Sequence, residues 1–237
     1  MEQNQPKKFL KSLDEKSRVF VADKVVRKEK LGEGDFAPVY TTEIWKDGVK
    51  YLFAVKDYGE EIETLRAFEG YLMAKAAGLT VFPTVRISED HKQLIMTLGT
   101  DENFFLVGKN SEYEWNRVEE ISNIEDIIEK MEKDVLKASK NKIIIPQDAQ
   151  FFVVEKSNPN NATYILGDYD FVGYQFYEND SERRIFLNNV SATEMALHNF
   201  CLKYLEIPQR TKYKKLIESH LNDFMKKNIT KFSDEFS

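Results

Sequence analysis

Apolar and polar positions alternate over short stretches through the first hundred residues, and that period predicts strands. Val19 to Val26 leads into Lys28-Glu29-Lys30-Leu31, then the turn Gly32-Glu33-Gly34-Asp35. Pro38 to Ile44 and Tyr51 to Asp57 read as two strands, and Asp47-Gly48 between them is a strong hairpin signal. The period changes over Glu60 to Ala77, where Ile62, Leu65, Phe68, Leu72 and Met73 recur at helical steps and Gly78 stands as a C-cap. Strands over Thr84–Ile87 and Gln93–Leu98 follow. The order is therefore strand, strand, strand, helix, strand, strand.

The second half is more helical. Asn123 to Ser139 carries Ile124, Ile127, Ile128, Met131 and Val135 on one stripe. Short buried runs at Ile143–Ile145 and Phe151–Val154 flank Pro146-Gln147-Asp148-Ala149-Gln150, and Tyr164–Leu166 predicts another strand. From about Ser191 the pattern is helical again. In the last helix Tyr213, Leu216, Ile217, Leu221, Phe224 and Met225 share a face while lysines point outward.

Composition narrows the function classes. The 237 residues are 42% hydrophobic and 31% charged, enough for one sizeable core. A net charge of −6 argues against general attraction to nucleic acid or anionic membrane. No run approaches the roughly 20 apolar residues of a membrane span. The polar start, Met1 to Asp14, shows no secretory h-region, and the single Cys201 fits a reducing, cytoplasmic setting. Cys201 lies in an apolar helical run and reads as a core residue. His91, His198 and His220 are isolated along the chain and form no zinc pattern.

Two segments carry candidate chemistry. Leu31-Gly32-Glu33-Gly34-Asp35-Phe36-Ala37-Pro38-Val39-Tyr40 sits between predicted strands, where glycines allow close backbone approach to a polyphosphate. Phe53-Ala54-Val55-Lys56 follows on a strand at the distance of a phosphate-reaching lysine. Further on, Tyr164-Ile165-Leu166-Gly167-Asp168-Tyr169-Asp170-Phe171 runs an apolar strand into an acidic-aromatic-acidic turn, where a carboxylate can hold a divalent cation.

Together these resemble the glycine-rich loop, the Val-Ala-Ile-Lys strand and the Asp-Phe-Gly segment of protein kinases, and also small phosphotransferases of the aminoglycoside-kinase type. The resemblance covers about residues 28–171. It implies an α+β, protein-kinase-like two-lobed fold: a five-stranded antiparallel sheet plus helix over 19–99, and a small, mostly helical lobe over 100–237, after a polar lead-in at 1–18. ATP and Mg²⁺ are the implied cofactors. Under the resemblance Gly32, Gly34 and Phe36 cover the phosphates. Val39 and Ala54 roof the adenine, and Met96, Thr97 and Leu98 form the hinge edge. Lys56 contacts the α- and β-phosphates, held by Glu69 of the helix, with Glu63 as competitor. Asp168 holds the metal, with Asp170 as fallback.

In the place of the catalytic loop, Asp148 is the implied acceptor of the substrate proton and Gln150 the implied second metal ligand. No His-Arg precedes Asp148, Ala37 replaces a third glycine, and no Ala-Pro-Glu segment follows Asp168. The implied activity is transfer of the γ-phosphoryl group to a Ser/Thr or Tyr hydroxyl of a protein, a host protein if the chain is an effector. A binding module on a kinase fold, a small-molecule phosphotransferase and an AMP transferase stay open beside it.

Overall fold

The computed structural model describes residues 19–33, 37–82, 85–97, 104–108, 117–170, 172 and 181–233. These form an α+β arrangement of two sheets and four α-helices. The larger sheet contains β1 (Val19–Phe20), β2 (Lys24–Glu33), β3 (Pro38–Lys46), β4 (Val49–Asp57), β5 (Val85–Ser88) and β6 (Gln93–Thr97). Their spatial order is β1-β5-β6-β4-β3-β2. The five strands β5-β6-β4-β3-β2 pair antiparallel in series, as expected. The sixth corrects the expectation of five: β1 pairs parallel with β5, Val19 opposite Ile87. A two-residue strand carries no period of its own, so alternation does not reveal it.

The β3–β4 hairpin turns at Asp47 and Gly48, both at positive φ (50° and 74°). That is the backbone a two-residue hairpin turn demands, and the Asp-Gly pair supplies it. Register then follows. Val39 lies opposite Lys56, Thr41 opposite Ala54, and on the other side Met96 opposite Ala54 and Leu94 opposite Lys56. Opposed residues share a face, so Val39, Ala54, Lys56 and Met96 line one side of the sheet. The other side buries Ile44, Tyr51, Phe53, Val55 and Ile95 with Phe20 of β1.

Helix α1 (Glu61–Ala76) follows β4. Its C-terminus is a Schellman motif: Gly78 takes φ 71°, the Leu79 amide donates to Ala74 O and the Gly78 amide to Lys75 O, each at 3.0 Å. Its buried face matches the predicted stripe only in part: Phe68 is buried and Leu65 and Leu72 pack half-buried against the core. Thr64, Ala67, Phe68, Gly70, Tyr71 and Ala74 are buried, whereas Ile62 is 65% and Met73 43% exposed.

The smaller sheet, β7 (Phe104–Val107), β8 (Gln150–Glu155) and β9 (Asn158–Leu166), is antiparallel in the order β7-β8-β9. It gives the second half more strand than expected. Packed with it are α2 (Ile124–Lys140), α3 (Glu182–Tyr204) and α4 (Ile207–Asn228). On α2 all five predicted stripe residues are buried. Phe152 of β8 stacks on Phe200 of α3, ring centres 4.1 Å apart, which joins this sheet to the helices.

The two sheets meet through the segment after α1. Leu166 donates its amide to Thr80 O (2.7 Å) and bridges Val81 in parallel. Thr80 in turn donates its amide to the buried Asp134 of α2 (2.6 Å), and Lys137 donates to Gly78 O. One hydrophobic core runs from Ala54 and Phe68 through Tyr164 and Leu166 to Ile217 and Leu221. Among the described residues no helix is long and apolar enough to cross a membrane.

Candidate functional site

Lys56 stands near the end of β4 with its side chain turned onto the face shared with Ala54 and Met96. It is 4% exposed. A buried ammonium requires opposite charge, and two carboxylates provide it from the turn after β9. Lys56 Nζ lies 2.9 Å from Asp168 Oδ1 and 2.5 Å from Asp170 Oδ2. Tyr58 donates its hydroxyl to the other Asp170 oxygen, and the Asp170 amide donates to Asp168 Oδ1 at 3.3 Å. A residue of the larger sheet is thus clamped by a turn of the smaller one.

The aromatic residue between the acids explains why both face the lysine. Tyr169 is buried, with its ring edge-on to Tyr71 of α1 at 5.3 Å. Its hydroxyl donates to Leu166 O (2.8 Å) and accepts from the Phe82 amide (3.1 Å). With Tyr169 pinned inward, the flanking Asp168 and Asp170 are directed together toward Lys56. Gly70 of α1 makes this approach feasible: a Cβ there would stand 2.6 Å from Tyr169 O and 3.0 Å from Val172 O.

Electrostatically the cluster holds one cation between two carboxylates. Burial alone would pull the Lys56 ammonium down, but the charges of Asp168 and Asp170 outweigh it and hold it above its ordinary value. For Asp170, burial and then the neighbouring Asp168 charge push the carboxyl up, against the pull of Lys56 and Tyr58. The two directions would conflict in a simple ion pair. They agree here because Lys56 is shared, which leaves one negative charge uncompensated. Tyr58 is pushed up by burial and by Asp170, so its phenol stays protonated.

These oxygens suit a hard divalent cation. Asp168 retains 30% side-chain exposure and Asp170 10%, so the first is the accessible donor and the second the inner one. The excess negative charge favours such an ion. The donor set is chemically compatible with a hard divalent cation such as Mg²⁺, with Asp168 as the outer donor and Asp170 as the inner one.

The remaining sequence candidates divide. Gly32 lies near the end of β2 opposite Val39 after an irregularity in register, and none of the described residues lies within 4 Å of a Cβ built on it. Gly34, Phe36 and Leu98 lie outside the described residues, as does the side chain of Thr97. Glu69 does not hold Lys56: it is exposed on α1, whose close-packed face is the small-residue side. Glu63 is nearer the site, since its charge acts on Tyr58, but it pairs with Arg66 at 3.1 Å.

Asp148 sits in the 3-10 turn Gln147–Ala149 and is partly exposed. The Gly167 amide donates to Ala149 O, so this turn runs beside the Asp168 segment. Gln150, the implied metal ligand, is instead buried: its amide donates to Pro146 O (3.3 Å) and its oxygen accepts from Thr193 (3.4 Å). Alternation along β8 explains this, because Gln150 shares the buried face with Phe152 and Val154.

Asn189 of α3, not singled out from the sequence, is a buried polar residue beside this region. Fully buried, it donates to Ser139 Oγ and Ile143 O and accepts from the Ile145 amide at 2.8 Å. It thereby fixes the strand-like run that leads into the Asp148 turn. No protein-family model matches the chain, and no curated protein gives a significant match.

Proposed function

We propose that this chain binds a magnesium nucleotide at the Lys56–Asp168–Asp170 cluster and acts as an atypical, minimal kinase toward a protein hydroxyl. The observation that carries the reading is Lys56 Nζ lying 2.9 Å and 2.5 Å from Asp168 and Asp170 across the two sheets. A buried strand lysine and a pair of turn carboxylates, with an aromatic tucked beneath a helix, are the parts that phosphoryl transfer needs for charge and position.

In this reading Lys56 binds phosphate oxygens. Asp170, which pairs with Lys56 in the free protein, would be available to a cation if Lys56 turned to phosphate. Val39, Ala54 and Met96, on the same face as Lys56, offer the apolar surface for the base. Asp168 and Asp170 would hold Mg²⁺, which neutralises phosphate charge when bound. Asp148 accepts the proton of the acceptor hydroxyl as the γ-phosphoryl group passes to its oxygen and ADP departs.

A second reading has its own support. Gln150 is occupied by Pro146 and Thr193, so the catalytic turn contributes one carboxylate and no second polar arm toward the cation. That favours a nucleotide-binding module which recruits a partner without transferring a group.

Intact-mass measurement after incubation with Mg-ATP, alone and with a casein-type acceptor, separates the two. A phosphoryl increment that disappears in Asp168→Asn and Lys56→Ala supports the kinase. An adenylyl increment redirects the chemistry to AMP transfer. Increments on aminoglycosides or sugars, and none on proteins, would move the substrate to small molecules. Nucleotide binding without any increment supports the module, and no nucleotide binding refutes both readings.

A further inference from the structure

Away from that cluster, helices α3 and α4 bring together three side chains that their sequence spacing did not connect. Glu194 and His198 are four residues apart on α3 and therefore share a face, one turn apart. Glu218 comes from α4, which packs against α3. A ring nitrogen of His198 and one carboxylate oxygen from each glutamate lie within 4.8 Å of one another. The second observation is independent of that spacing. His198 Nε2 is sealed from solvent and has no hydrogen-bond partner among the described residues. A buried ring nitrogen left without a partner is costly, and a native fold resolves such an atom with a bond or an ion.

We propose that Glu194, His198 and Glu218 form a binding site for a first-row divalent cation of the Zn²⁺ type, which staples α3 to α4. Two carboxylates neutralise the dication, and the imidazole selects a zinc-like ion over Mg²⁺, which prefers oxygen alone. Ligand bonds of about 2.0–2.2 Å place neighbouring donors of a tetrahedral site about 3.4 Å apart. The present spread closes to that by rotation of the two glutamate side chains. Glu194 and Glu218 are partly exposed, so an incoming ion meets their carboxylates before the sealed His198 nitrogen, and the fourth position falls to water. Lys214 approaches Glu218 Oε1 at 3.7 Å and is itself largely exposed, so it is readily displaced. Cys201, one turn further along α3, is buried with its thiol pushed up to about 12 by burial, and takes no part.

The test is Zn²⁺ titration of the full chain, read by native mass spectrometry and by thermal melting, in excess Mg²⁺ to occupy oxygen-only sites. Wild type is expected to take up one zinc ion, and its melting temperature to rise by about 5–10 °C at zinc 100-fold above Kd. His198→Gln and Glu218→Gln should each weaken binding at least about 100-fold, since even indirect supports of a metal site cost 10–100-fold. Asp168→Asn should bind zinc as wild type does, which separates this site from the nucleotide cluster. Should His198→Gln fail to fold, Glu218→Gln and Glu194→Gln decide the question. Undiminished zinc uptake in the folded variants, or no saturable one-to-one binding in wild type, overturns the proposal.

Discussion

Gly70→Ala tests the packing on which the whole cluster depends. Position 70 lies in α1 where the helix backs onto the turn that carries Asp168 and Asp170. An added Cβ would sit 2.6 Å from Tyr169 O and 3.0 Å from Val172 O, against ordinary contact beginning at 3.4 Å. Both obstacles are backbone atoms, so no side chain can swing aside. Helix and turn must part by most of an ångström. Overpacking of this kind costs about 1–3 kcal/mol, while replacing a helical glycine by alanine returns about 1 kcal/mol. With rigid obstacles the upper end applies, and the net loss is about 1–2 kcal/mol. For a chain of this length that lowers the melting temperature by roughly 2–8 °C. Gly32→Ala is the internal control, because none of the described residues lies within 4 Å of its Cβ and its φ is ordinary. Its melting temperature should match wild type or exceed it slightly. Differential scanning fluorimetry of the three proteins without ligand, followed by Mg-ATP titration, gives both readings. Gly70→Ala should lose stability and nucleotide affinity together, whereas Gly32→Ala should lose affinity alone. A Gly70→Ala protein that melts at or above wild type would refute the close approach of α1 to the turn.

Three further perturbations act on neighbouring groups. Lys56→Met leaves Asp170 buried beside Asp168 without a cation, so it should cost roughly 3 kcal/mol at neutral pH. That deficit should shrink on acidification as the carboxylates protonate; urea melts at several pH values would show it, and a constant deficit would contradict it. Tyr58→Phe removes the phenol that donates to Asp170 and should cost about 1.5–3 kcal/mol in the same melts, with no change expected if the bond is absent. Asp134 is pushed up by burial, only partly offset by the Thr80 amide and Lys137. Its contribution to stability is therefore complete below its unfolded value and lost as pH rises through the folded one. Asp134→Asn keeps an acceptor for Thr80 and removes that loss, so its melting temperature relative to wild type should climb from acid to neutral pH. A relative fall over that range would reverse the assignment.

What the sequence made legible, and what it hid, follows from the kind of packing at each place. Alternation and the Asp-Gly turn were sufficient for β3, β4 and their register, and with them the shared face of Val39, Ala54 and Lys56. The α2 stripe was equally plain, because its large apolar residues recur at helical steps and are all buried. Helix α1 misled for the opposite reason. It lies so close to the turn after β9 that its inner face includes Ala67, Gly70 and Ala74, while Ile62 and Met73 point outward. A rule that buries the largest apolar residues misplaces Ile62 and Met73 on such a helix, and Glu69, implied by the resemblance, lies on its exposed side. Gln150 could have been read correctly: counting by twos from Phe152 puts it on the buried side of β8.

The same arithmetic reconsiders Asp168 and Asp170. Ranking one as the metal ligand and the other as a fallback treats them as competitors for a single position. Residues two apart in an extended turn point the same way whenever the residue between them is driven to the opposite side. Tyr169 is driven inward by Tyr71, the Phe82 amide and Leu166 O. The burial of one aromatic therefore aims two carboxylates at one lysine, and Tyr58 supplies the donor that a second buried carboxylate requires. A cluster with two acids, one base and one phenol carries its extra negative charge by construction. Burial and the neighbouring Asp168 push the Asp170 carboxyl up, so that extra charge is relieved either by a proton or by a bound cation.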